Sequence, residues 1–573
     1  MASLGGKNWL WLAGALVVAL LLAIVGTTPP QEHATPSGNP AEPESNRAYG
    51  HIRQIAKQPH PTGSAANAEV RAYLVGELER MGLTVETSTG TIDRRAQDKL
   101  DHWDGEKSAA LTEFVNIIGV LPGTVRSLPA VALMAHYDSV WGSPGAADDA
   151  TGVAVILEAV RAIAASGPQR RDIVVILTDA EELGLNGARD FYANHPLAAR
   201  IGAIVNVEAR GGGGISSMFQ TSPGNAEVAR LYAREVSHPA ATSLSAFIYS
   251  VLPNDTDLSP ALERGGYAAW NIAFIGRSGL YHSPLSIPEN VDRGSIYQML
   301  SQTHELAAAL AEARSLPAQS HDAVFFDVFG QFVLVYAPAW GWVMLALGAI
   351  GYGIAWGRRR ERAGSIAGGA ARMAGLLIGG GILLYLLNLL SGAGTGAGYY
   401  DRLAAIPKLT GMVLLALTGV AIVAFGARRG GFATRVGAVL PLAAIAIALQ
   451  AYAPPAAFFI VIPLMLAGLV EMVRSFRKPL LSRASAALVA AVMTGFLLTL
   501  GFFAMQGVGP SMPWVTAILM ALAMLTWLPL WQAVPKWRIV AGTLLLAASG
   551  MALFIRFDPV PPTVAVYSPL KPG

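Results

Sequence analysis

Hydrophobic and polar positions alternate in two different ways along this chain, and the change of texture divides it. An apolar run from Trp9 through Val25 follows Lys7 and is long enough to cross a bilayer once, which predicts a signal-anchor helix over residues 1–28. A cleaved signal peptide is the rival, but no small-x-small site stands cleanly before Thr27. Residues 29–47, rich in Pro, Glu, Ser and Ala, read as a solvated linker. From residue 48 to 317 short strand-like runs alternate with amphipathic helical segments, the texture of an exported α/β domain. Val70 to Met81 has helical spacing and stops at Gly82, while Thr151 to Ala165 reads as a helix capped near Asp149. Val115 to Leu121, Val131 to Ala135, Ile173 to Leu177 and Ile201 to Val207 read as strands of a mixed central sheet.

Residues 318–557 switch to long apolar stretches, predicting an all-α transmembrane domain, with a tail at 558–573. Spans are expected near 331–356, 373–392, 409–426, 436–452, 455–473, 484–506, 513–533 and 539–556, nine with the anchor, although the Pro454-Pro455 junction could be a kink in one longer helix. Every second loop is basic: Arg358, Arg359, Arg360, Arg362 and Arg372; Arg428, Arg429 and Arg435; Arg474, Arg477, Lys478 and Arg483; Lys536 and Arg538. With those loops cytoplasmic, the α/β domain falls on the other side of the membrane.

At 573 residues, 53% hydrophobic and 14% charged, the chain is too apolar for a soluble protein, so the bilayer is a partner. A net charge of +3, with its basic residues between apolar runs, argues against nucleic acid. The absence of cysteine leaves His, Asp and Glu as the available metal ligands. The Ala/Gly/Arg-rich composition points to a bacterial inner membrane facing the periplasm rather than a vacuolar or endoplasmic reticulum membrane.

The chemistry-bearing residues sit where the strand-like runs stop. His136 ends one and Glu208 another, and Glu181-Glu182 follows a third, so acids and imidazole gather at the carboxyl ends of strands. Asp138, two positions from His136, can orient that ring. Asp148 and Asp149 stand at the mouth of a helix, where capping explains one aspartate and not two. Adjacent glutamates can divide the work, one ligating and one accepting a proton from the attacking water. His282, after Tyr281, can complete a second metal's ligands. Taken singly, His136 reads as a core histidine, and Asp138 and Asp149 as orienting or capping groups. Their order in one set favours a two-metal hydrolytic centre. Gly211 to Gly214 read as a flexible turn or as a place where amides approach substrate, and Asp255 and Asp257 as turn formers. His51, His102, His195, His238 and His304 follow no spacing pattern.

The segments His136-Tyr137-Asp138-Ser139, Gly145 to Gly152, Ala180 to Gly184, Asn206 to Ala209 and Tyr281-His282-Ser283 resemble the co-catalytic zinc aminopeptidases related to bacterial secreted leucyl aminopeptidases. His60 to Ser64 and Asn116 to Gly123 fit as well, so the resemblance covers residues 50–315. A multi-spanning tail is similar to the vacuolar membrane protease and endoplasmic reticulum metallopeptidase branch. The resemblance implies two Zn(2+) per chain, with Asp148 bridging, His136 and Glu208 completing one ion, and Glu182 and His282 the other. It implies Glu181 as general base, Tyr281 as a donor to the oxyanion, peptides as substrates, and a non-proline cis peptide after Asp148. Glu208 departs from the aspartate usual in soluble members. Two rivals remain: a glutaminyl cyclase-like or metal-free member of the same fold, and a transporter with a regulatory exported domain. Transporters keep ionisable groups within their spans, whereas here the span interiors offer little beyond the amides Asn388 and Gln450, with Glu471 near a span end, so no proton relay is evident.

Overall fold

In the computed structural model, residues 8–32, 38–105, 107–252, 254–359, 364–394, 399–427 and 430–558 are described. Lys7, Arg360, Arg362, Arg428, Arg429 and the tail beyond 558 lie outside them. The chain divides into two compact units, one built on residues 28–335 and one joining residues 1–27 to 336–560.

The first unit is built on a seven-stranded mixed sheet. Its strands are β1 (Thr84–Thr91), β2 (Glu113–Leu121), β3 (Ala130–His136), β4 (Ile173–Thr178), β5 (Ile201–Ala209), β6 (Gly213–Thr221) and β7 (Ala268–Gly276). They lie in the order β1-β2-β4-β3-β5-β7-β6. The inner four, β4, β3, β5 and β7, run parallel, and the outer pairings are antiparallel. Both faces are covered. Val131, Leu133 and Ala135 of β3 join the core beneath the helices Ala150–Ala165 and Arg293–Glu312, while Ala130, Ala132 and Met134 join the opposite core with Phe191 and Tyr267. The period-2 alternation thus feeds two layers, and a central parallel strand is apolar throughout. Pairing of His136 with Thr178, and of Met134 with Asn206 two residues before Glu208, sets the reactive positions level at one edge.

The four predicted strands are present, as are the predicted helices, now Ala65–Arg80 and Ala150–Ala165, with Gly82 in the left-handed region at φ +84°. The edge strand β1, Thr- and Ser-rich, carries no apolar alternation that would have announced it.

Within the segment 29–47, expected to be a solvated linker, residues 40–47 are instead held against the helix Ala150–Ala165. Glu158, fully buried in the helix Ala150–Ala165, accepts from the Glu44 backbone N–H at 2.7 Å, Arg47 Nε at 3.0 Å and Arg161 Nε and Nη2 at 2.7 and 2.9 Å. Arg161 also donates to the carbonyls of Pro40 and Glu42. A buried carboxylate needs such partners, and the segment supplies them.

The second unit is helical. Among the described residues, eight helices are long and apolar enough to cross a membrane: Trp9–Thr27, Trp340–Arg358, Ile366–Leu390, Ile406–Phe425, Phe432–Tyr452, Phe458–Ser475, Pro479–Gly507 and Trp537–Phe557. The expected span at 513–533 is instead the short helix Pro513–Trp527, so eight replace nine. Pro513 starts it, and Pro529, which has no N–H to continue the ladder, follows its end, leaving it below the ~20 residues a span needs. Chain 331–339 forms the strand Val333–Tyr336 and a turn before the helix begins at Trp340. At Pro454 the chain breaks into a 3-10 turn between two helices. The helices Trp340–Arg358 and Phe458–Ser475 approach through Gly348 and Gly468, where a Cβ on Gly468 would lie 2.2 Å from the Gly348 carbonyl. Gln450 donates to the Pro338 carbonyl at 2.9 Å, and Asn388 accepts from Arg402, so these polar groups are spent on structure.

Candidate metal centre

Three loops at the carboxyl edge of β3, β4 and β5 bring the acids together. His136 closes β3 and Glu208 lies one residue from the end of β5. Asp148 arrives through the turn at Gly145, whose φ is +64° and where a Cβ would lie 2.7 Å from the Asp148 carbonyl oxygen. His282 arrives on a loop tied to the Asp148 loop: Ser143 Oγ donates to the Ser283 carbonyl at 2.9 Å and Ala146 N to the Ser286 carbonyl at 2.9 Å.

Asp148 occupies the middle. Its Oδ1 lies 3.1 Å from His136 Nε2 and its Oδ2 lies 3.1 Å from His282 Nε2. Glu208 Oε2 lies 3.8 Å from His136 Nε2, and Glu182 Oε1 lies 2.9 Å from His282 Nε2. Two donor groups result, His136 with Asp148 and Glu208, and His282 with Asp148 and Glu182, each with its atoms within 4.8 Å of one another. A further combination joins His136 to Glu181 and Glu182. The five residues singled out as ligands and Glu181 therefore come together, and Tyr281 lies against His282.

Asp138 reaches His136 through both its carbonyl, 3.0 Å from Nδ1, and its Oδ1, 3.4 Å away. It also accepts from the backbone N–H groups of Glu181 at 3.1 Å and Glu182 at 3.2 Å, which fixes the turn that presents the two glutamates. Asp149 caps the helix Ala150–Ala165, accepting from Gly152 N at 3.0 Å. A Cβ at Gly152 would fall 2.4 Å from that carboxylate. The Asp148–Asp149 peptide is cis. The Tyr281 ring stacks on the His282 ring, with centroids 3.8 Å apart.

Electrostatics follow from burial and crowding. Burial would raise the Asp148 carboxyl, but hydrogen bonds and charge from His136 and His282 hold it well below the usual carboxylate range. Burial, reinforced by neighbouring acids, pushes Asp149, Glu181 and Glu208 well above it. His136 would be lowered by burial, yet hydrogen bonds to Asp138 and Asp148 and the field of Glu181 and Glu208 hold it well above an ordinary imidazole. The carboxylates of Asp148, Asp149, Glu181, Glu182 and Glu208 thus crowd two imidazoles, and among the described residues no Lys or Arg forms an ion pair with any of the five. Such crowding is costly without a cation, and a set of imidazole nitrogens and carboxylate oxygens free of thiolate suits a divalent ion such as zinc.

Sequence reasoning missed several supports. Asp257, expected to form a turn, is buried, accepts from Thr178 Oγ1, and stands close enough for its charge to act on Asp149 and Glu181. Asp179 is buried too, accepting from Thr62 Oγ1 at 2.9 Å, Asn67 Nδ2 at 3.2 Å and Val115 N at 3.0 Å. Its place directly before Ala180-Glu181-Glu182 was the available signal. Gly211 to Gly214 form a packed corner and the start of β6 instead of a flexible turn: a Cβ at Gly211 would lie 2.1 Å from the Gly276 carbonyl.

Residues 116–307 match the family described as Peptidase family M28. Over 319 residues, 52% of this chain, it is 30% identical to endoplasmic reticulum metallopeptidase 1 of Rattus norvegicus, covering 35% of that protein. Over 342 residues, 56% of this chain, it is 30% identical to a vacuolar membrane protease of Leptosphaeria maculans, covering 41% of that protein. The chain therefore spans well under half the length of these curated relatives. Among solved structures, a zinc aminopeptidase from Bacillus subtilis is similar over 49% of this chain and 99% of its own, at 15% identity and a TM-score of 0.38. A glutaminyl cyclase of Porphyromonas gingivalis is similar over 46% and 98%, at 18% identity and a TM-score of 0.37.

Proposed function

From the premise that the chain carries a Peptidase family M28 domain, we propose that it is a membrane-anchored zinc peptidase that releases N-terminal residues from peptides at a two-zinc centre. The observation that carries this reading is the place of Asp148, whose two oxygens each lie 3.1 Å from a different histidine. Asp148 would be shared between the ions, with His136 and Glu208 holding one and Glu182 and His282 the other. Bound zinc supplies a Lewis acid for the scissile carbonyl and lowers the pKa of water toward ~7.

The chain's own groups do the rest. Glu181 accepts a proton from the attacking water at its carboxylate and delivers it to the nitrogen of the departing amine as the C–N bond breaks. Burial, with the charge of Glu182 beside it, raises the Glu181 carboxyl and so makes its carboxylate a stronger base for that transfer. Asp138 keeps Glu181 in register through the two amide bonds of the Glu181–Glu182 turn. Tyr281 packs on His282 and donates from its hydroxyl to the developing oxyanion. The basic loops support a non-cytoplasmic position for this domain, with the bilayer as its anchor.

The test is Glu181→Gln in the full chain, assayed on unblocked and N-acetylated peptides and on N-terminal glutaminyl peptides. Zinc content is expected to match the wild type while turnover of the unblocked peptides falls by about 10²–10⁴-fold. Turnover within tenfold of wild type overturns the base assignment. Cyclisation of glutaminyl peptides with no hydrolysis overturns the peptidase reading.

A further inference from the structure

The helical unit gathers charge at one end. Arg359 follows the helix Trp340–Arg358, Arg435 stands in the first turn of Phe432–Tyr452, and Glu471 and Arg474 lie in the last turns of Phe458–Ser475. Glu471 is 1% exposed. Its Oε1 accepts from Arg435 Nε at 2.6 Å, and its Oε2 from Arg435 Nη2 at 3.1 Å and Arg359 Nη2 at 3.0 Å. Arg474 Nε lies 3.7 Å from Oε1.

Three guanidinium groups on one carboxylate leave two positive charges in excess. Among the described residues, Glu471 is the carboxylate with which Arg359 and Arg435 pair. Buried like charges repel and are costly unless an anion joins them. Arg435 also donates from Nη1 to the Gly430 carbonyl at 2.9 Å. Arg359 keeps a reserve: its Nε is buried without a hydrogen-bond partner, while its side chain, 22% exposed, stacks over Phe432 with 4.4 Å to the ring centroid. Arg358 lies beside it over Phe476, at 4.3 Å. The cluster sits where apolar helices end, the depth at which lipid phosphates lie, and basic clusters at that depth recognise anionic headgroups.

We propose that Arg359, Arg435 and Arg474, gathered on Glu471, form a binding site for the phosphate of an anionic phospholipid. The site lies in the helical unit and is independent of the peptidase reading.

The test uses the purified full chain, stripped of lipid in detergent and then offered vesicles of phosphatidylglycerol mixed with phosphatidylcholine. Retained lipid is read by native mass spectrometry, and thermal midpoints are compared with vesicles of phosphatidylcholine alone and with inorganic phosphate. Phosphatidylglycerol is expected to be retained over phosphatidylcholine and to raise the midpoint where inorganic phosphate does not. Arg359→Gln should retain about fivefold less of it, the loss of one cation near a headgroup. Equal retention by wild type and Arg359→Gln overturns the site, as does equal retention of the two lipids. A midpoint shift reproduced by inorganic phosphate overturns the lipid as its occupant. Should Arg359→Gln aggregate, the wild type decides through salt: retention that does not fall between about 0.1 and 1 M salt, where screening shortens from ~10 to ~3 Å, overturns an electrostatic site.

Discussion

Replacing Asp138 by Asn tests whether a residue that touches neither substrate nor metal holds the centre in shape. The carboxylate is 1% exposed and accepts from two backbone amides, at 3.1 and 3.2 Å, while lying 3.4 Å from His136 Nδ1. Hydrogen bonds to a charged group contribute about 1.5–3 kcal/mol each. Asn is nearly isosteric but keeps one acceptor oxygen, so one amide loses its bond and meets an NH2 group instead. One lost charge-assisted bond plus an opposed donor costs about 2–4 kcal/mol, shared between folding and the pose of His136 and Glu181. Groups that orient metal-bound histidines typically cost 10–100-fold in metal affinity when changed. Zinc affinity of Asp138→Asn, measured by competition with a chelator of known affinity, is therefore expected to fall about 10–100-fold, with kcat falling as Glu181 loses its register. An affinity and a kcat both within twofold of wild type would refute the reasoning.

Two further predictions concern the metal-free protein and the N-terminal segment. Burial pushes Asp257 up to about 6 and, with the charge of Asp138, Asp179 up to about 7 from the ordinary 3.8. Below about pH 4 folded and unfolded chains both hold these protons; between about 4 and 7 the unfolded chain has released them and the folded chain has not, so stability falls as pH rises. Urea titrations after chelation should show that fall, and a metal-free stability that climbs from pH 4 to 7 would contradict it. Glu158→Gln removes the charge on which Arg47 and Arg161 converge and should cost about 1–3 kcal/mol. Limited proteolysis should then cut residues 29–47 faster; cleavage at the wild-type rate would show that the segment is held by something else.

The ends of β3, β4 and β5 were legible because a β-rich apolar run stopping at His136, Thr178 or Glu208 is both a strand signal and a site signal. His282 could be named as a ligand candidate, but the strand pattern carried no sign of its convergence, which depends on Ser143 and Ala146 meeting a loop some 140 residues away. What escaped was support that pays no periodic signal. Asp257 looked like a turn former because Asn254-Asp255-Thr256-Asp257 has turn composition, and Thr178, its partner, is an unremarkable strand residue. The segment 29–47 looked solvated by composition, although Glu158, the one acid in an otherwise apolar helix, was a sign that something must cover it. The span at 513–533 was overcounted because hydropathy weighs Pro513 and Pro529 lightly while the backbone does not.

The central claim is that Asp148 is shared between two ions. Its most direct test is the zinc content of the purified full chain by inductively coupled plasma mass spectrometry, wild type beside Asp148→Asn. Two zinc ions per wild-type chain, with both sites weakened in the variant, is the predicted result. One ion or none in the wild type, or a variant that keeps the full complement, would contradict it.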